Sequence, residues 1–63
     1  MTDIREAKDK AGETVYYRLD QDGLEWTFDP DLPLSWWSVD TSEPELFSPD
    51  ELDVIAALLR EHQ

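Results

Sequence analysis

Residues 14–28, TVYYRLDQDGLEWTF, decide the fold. Two runs rich in β-branched and aromatic residues, TVYYRL (14–19) and LEWTF (24–28), flank DQDG (20–23). That pattern predicts a β-hairpin with Gly23 in the left-handed turn position. Strand side chains alternate between faces, so Val15, Tyr17 and Leu19 share one side. Leu24, Trp26 and Phe28 likewise share one side of the partner strand, and these six are the expected buried face. Tyr16, Arg18, Glu25 and Thr27 then point the other way. Asp29-Pro30 ends the second strand, because proline has no N–H for the ladder.

The element that covers this hairpin is read at the C-terminus. Ser48 is placed as a helix N-cap, Pro49 as the first helical residue, and Glu51 completes a capping box. Phe47 and Leu52 have the spacing of a hydrophobic staple. Leu52, Ile55, Ala56 and Leu59 form the apolar stripe expected to lie on the hairpin. Val54 and Leu58 fall outside it. Either the loop 32–47 wraps over them, or they form a second apolar face for self-association.

Before the hairpin, residues 1–13 have weak helical spacing and only Ile4 and Ala7 to dock, so a weakly ordered arm or short helix is expected there. The domain proper is 14–63. The expected fold is a small single α+β domain, a hairpin packed on a C-terminal helix. SWWSV (35–39) would extend the hairpin to a three-stranded antiparallel sheet, which is attractive because a lone hairpin is marginal in water. Neighbouring strand residues face opposite ways, so Trp36 and Trp37 cannot both enter one core. One is expected under the helix with Val39 nearby and the other outward, where an exposed tryptophan among carboxylates has the profile of an interface anchor.

The chain has 63 residues, no cysteine and a formal net charge of −11. A chain this short buries only about 60% of its unfolded surface, and no disulfide or thiolate metal site is there to staple it. The N-terminus lacks the apolar stretch of a signal peptide, and the longest apolar run, 54–59, is far short of the ~20 residues that span a bilayer. A soluble, cytoplasmic protein with no membrane contact is therefore expected. The charge is unevenly laid out. Residues 1–18 and 60–63 are each neutral, whereas 19–59 hold eleven acids, no base and all three tryptophans. A field of one sign favours encounter with a positive surface and opposes direct nucleic-acid binding. Adaptation to high salt would spread the acids evenly, which the neutral first 18 residues do not match.

Asp20 and Asp22, Asp29 and Asp31, and Glu43 and Glu45 are i, i+2 pairs. In extended chain each pair would project two charges about 6.6 Å apart, from a rise of ~3.3 Å per residue. Carboxylates so spaced can occupy part of a site built for phosphates, with tryptophan standing where bases stack. The expected partner-binding residues are Asp20, Asp22, Asp29, Asp31, Trp36, Trp37, Asp40, Glu43 and Glu45.

Other chemistries fail on their residues. Laid on a calcium loop, RLDQDGLEWTFD (18–29) puts Arg18 at the first ligand position. Paired carboxylates for glycoside hydrolysis need a pocket that 63 residues hardly provide. The single histidine, His62, is next to the last residue, and no glycine-rich phosphate loop exists. No catalytic, metal or cofactor site is expected, and an enzyme is not.

In size, acidity, lack of cysteine and aromatic content the chain resembles the small acidic inhibitors that phages deploy against nucleic-acid-binding host proteins. The resemblance rests on no motif and implies no residue roles. It implies an inhibitor or regulator docking on a basic protein surface, by DNA mimicry. The alternative is a structural or assembly protein that homodimerises through the C-terminal helix, its acidity serving solubility alone.

Overall fold

The computed structural model describes residues 4–32 and 34–61. Asp3, Pro33 and His62 lie outside them, as do the outermost ends of the expected 1–13 and 14–63 segments. The architecture is a small α+β domain. Strands β1 (Ile4–Lys8), β2 (Thr14–Asp20), β3 (Gly23–Thr27) and β4 (Trp37–Ser38) form one antiparallel sheet in chain order, packed against helix α1 (Pro49–Glu61).

The β2–β3 hairpin forms as its sequence requires. Asp20 pairs with Gly23, whose φ of 115° needs the freedom of glycine. Leu19 lies opposite Leu24 and Tyr17 opposite Trp26, so the apolar residues share the helix side. One member of the expected face differs: Phe28 is 55% exposed. Thr27, expected to point the other way, is nevertheless only 1% exposed. Thr27 does lie on the outer face, but the chain after β3 folds back and seals it. The Asp29 N–H donates to the Thr27 hydroxyl at 3.1 Å, and the Ser35 hydroxyl lies 2.7 Å from it.

Where an arm or helix was expected, residues 4–8 form strand β1. The turn that makes this possible is built by Asp9, whose Oδ1 accepts the N–H groups of Ala11 and Glu13, each at 2.9 Å, with Gly12 at φ 84°. Ala7 lies opposite Val15 and is buried with it. The helix start ties down the last residue of β1. The Lys8 N–H donates to Asp50 Oδ2 at 2.8 Å, and the Ser48 hydroxyl donates to the Lys8 carbonyl.

The capping box is present. The Glu51 N–H donates to Ser48 Oγ at 3.1 Å and the Ser48 N–H to Glu51 Oε1 at 3.0 Å. The buried stripe is turned relative to the expected one. Ile55 and Leu58 enter the core with Val15, Tyr17 and Ala7, and Val54 packs on it. Leu52 and Leu59 are partly exposed and Ala56 is exposed. Glu51 sets this rotation. It lies on the inner face one turn before Ile55, fixed there by the cap and by Tyr17, whose hydroxyl donates to Glu51 Oε2. Helix α1 packs chiefly on β1 and β2, which leaves the helix-side face of β3 and β4 partly open, with Leu24, Trp26 and Val39 half-buried there.

Candidate functional site

The paired tryptophans straddle the sheet. Register sets Trp37 opposite Trp26, on the helix side with Val39, whose N–H donates to the Leu24 carbonyl at 3.0 Å. Neither tryptophan packs under the helix. Trp37 stands beyond the helix's reach and is 64% exposed. Trp36 turns to the outer face, where the Arg18 guanidinium carbon lies 4.2 Å from its ring centroid. The same guanidinium pairs with Glu25 Oε1 at 2.9 Å. The guanidinium also lies 3.9 Å from Asp20 Oδ2, so Arg18 offsets charge at two of the eleven acids and half-covers one tryptophan.

The open half of the helix side is a groove of about 540 Å³. It is lined by Asp9 and Lys10 of the β1–β2 turn and by Leu46 and Phe47, in the segment that leads back to the helix. Trp26 and Phe28 project into it, their rings edge to face at a centroid distance of 5.1 Å. Val15, Tyr17 and Glu51 are buried lining residues, 2%, 2% and 6% exposed, and Asp40, just after β4, also lines the groove. Burial, and then the hydrogen bond and charge of Glu51, push the Tyr17 hydroxyl far above its ordinary pKa. The Ser42 side chain and N–H hold the Asp40 carboxyl below its ordinary value. Lys10 is the one base on the groove among the described residues, and its ammonium donates to the Glu45 carbonyl at the rim.

The expected site residues do not form one array. Asp20 and Asp22 lie at the β2–β3 turn, the end where Asp40 also sits, while Asp29 and Asp31 follow the opposite end of β3. The extended i, i+2 geometry does not hold either. Asp29 Oδ1 accepts the Asp31 N–H at 3.1 Å and the Leu32 N–H bonds back to the Asp29 carbonyl, so this pair is folded into a turn. Asp20 and Asp40 accept N–H groups of nearby residues in the same manner. Glu43 and Glu45 straddle the start of the short 3₁₀ turn Pro44–Leu46. In two of the three pairs one member, Asp20 or Asp29, caps a turn with its side chain; Glu43 makes no such cap. What the structure brings together instead is Trp26, Phe28, Leu46, Asp9, Asp40 and Glu51.

Leu58 belongs to the core and Val54, half-buried, packs against it, so these two residues do not form a second exposed apolar face on the helix. Among the described residues no helix is long and apolar enough to cross a membrane, and none of their His, Asp and Glu side chains form a group of three or more placed to hold a metal ion. Comparison with protein-family models, curated proteins and solved structures finds no match.

Proposed function

We propose that this chain is an acidic binding module that docks the open half of its sheet on a basic protein surface, in the manner of an inhibitor or regulator. The observation that carries the reading is a coincidence of place. Phe28, Trp37 and Leu46, each more than half exposed, belong to the stretch 19–59 that holds eleven acids and no base. Apolar surface of this kind in a small soluble chain is characteristic of an interface. Acids around it steer a positive partner and repel a negative one. Imitation of a DNA strand would draw on carboxylates at regular intervals, and the Asp29–Asp31 pair is folded into a turn. The reading therefore stands on charge sign and aromatic anchors, and extends to the basic face of a nucleic-acid-binding protein only in that sense.

The experiment is affinity capture with the parent and the Phe28→Ala, Trp37→Ala double variant, at ionic strengths of about 0.01 M and about 1 M, between which the Debye length falls from ~30 Å to ~3 Å. Basic proteins retained by the parent at low salt, weakened at high salt and lost by the double variant support the reading. A set of captured proteins that is neither basic nor salt-sensitive contradicts it.

A further inference from the structure

The groove beside Trp26 has aromatic walls and acids, and the outer face of the same sheet shows what such a combination holds. There, Trp36 lies against the Arg18 guanidinium at 4.2 Å while Glu25 pairs with it at 2.9 Å. A planar guanidinium is suited to this. It stacks on a ring face and presents a fork of N–H donors to a carboxylate, which an ammonium does not.

The groove repeats those components on the opposite face without an arginine. Trp26 and Phe28 supply the rings, and Glu51 and Asp40 the carboxylates. Glu51 accepts one hydrogen bond on each oxygen, from the Ser48 N–H and the Tyr17 hydroxyl, which leaves acceptor capacity on both. Among the described residues no Lys or Arg pairs with it. Lys10 partly offsets the acids, but its ammonium is turned to the Glu45 carbonyl.

We propose that the groove receives an arginine side chain from the basic partner, its stem along Phe28 and its guanidinium against Trp26, directed to Asp40 and Glu51. This rests on the proposed docking function and specifies which partner side chain is read. The charge of the segment selects a cationic visitor, and the groove's rings and depth favour a flat one over a compact one.

The test is a titration followed by NMR on the intact protein, read at the Trp26 indole N–H. The probes are three capped glycine-serine peptides carrying a single arginine, lysine or citrulline. The arginine peptide should bind about fivefold or more tighter than the lysine peptide, the gain expected of a stacked, forked contact over a point charge. The citrulline peptide should not saturate the shift. Phe28→Ala and Asp40→Asn, both at exposed positions, should each weaken the arginine peptide at least threefold with melting unchanged. Leu59→Ala, outside the groove, should leave binding unaltered. Equal, salt-sensitive binding of arginine and lysine peptides would overturn arginine recognition while leaving a generally basic partner in place. No shift at Trp26 with any peptide would overturn it as well, and the capture experiment would then bear on the docking function separately.

Discussion

The Tyr17 hydroxyl donates to the Glu51 carboxylate where β2 meets the first turn of α1, with both residues buried. One side chain thereby fixes three things: the helix cap, the rotation of the helix on the sheet, and the acidic floor of the groove. A hydrogen bond to a charged group is worth roughly 1.5–3 kcal/mol net, and removing one partner leaves the other buried without it. Tyr17→Phe should cost that much in denaturant unfolding. In a domain of this size that shifts the melting temperature by several degrees.

The same contact sets a pH dependence. The folded-state pKa of Tyr17 is raised, so the folded chain keeps a proton that the unfolded chain releases near pH ~10. Its contribution to stability is complete below that value and falls as pH climbs towards the folded pKa. Alkaline unfolding should therefore begin above about pH 10, and Tyr17→Phe should flatten that slope. Phenolate absorbance followed alongside circular dichroism would show whether one tyrosine ionises only as the chain unfolds.

Helix rotation gives a contrast between neighbouring leucines. Leu58→Ala and Ile55→Ala should each cost about 2–5 kcal/mol, enough to unfold much of so small a domain. Leu52→Ala and Leu59→Ala, at partly exposed positions, should cost well under half of that. Chemical denaturation of the four variants decides it, and the opposite ranking would mean that the helix turns its other side inward.

The hairpin, the capped helix and an added strand at the tryptophans were legible because each is signalled locally, by alternation, by Gly23 and by Ser48 with Glu51. The rotation of the helix was not. Leu52, Ile55, Ala56 and Leu59 make the more apolar stripe, and only the pairing of Glu51 with Tyr17, 34 positions away, selects the stripe of Ile55 and Leu58. Strand β1 was hidden by its own composition, since IREAK has one apolar residue on each face. Its signal lay just beyond it, in the turn pattern of Asp9 followed by Gly12. Of the candidate site, Trp37 and Asp40 were visible in sequence. Phe28 was not, because nothing local tells that the helix stops short of β3. The carboxylate pairs were visible, but their geometry was not, because the side chain of Asp29 folds its pair into a turn.

Thr27 tests how the outer face is closed. Its hydroxyl accepts the Asp29 N–H and adjoins Ser35, whose own hydroxyl lies 2.8 Å from the Asp29 carbonyl and 2.7 Å from that of Leu32. Thr27→Val keeps the shape and removes the bonds, so it should cost about 1–2 kcal/mol. Faster amide exchange should follow in residues 29–35, with the β2–β3 ladder protected as before.

Docking by the open half of the sheet is tested most directly by association and dissociation rates on a captured basic partner, measured over a salt series for the parent, Asp40→Asn and the Phe28→Ala, Trp37→Ala double variant. Steering by exposed acids should make the parent's on-rate fall as salt rises, and Asp40→Asn should lower it at low salt. Loss of the two rings should raise the off-rate about tenfold or more at every salt concentration, because apolar burial is not screened. Rates that are the same for all three proteins and indifferent to salt would contradict docking through this face.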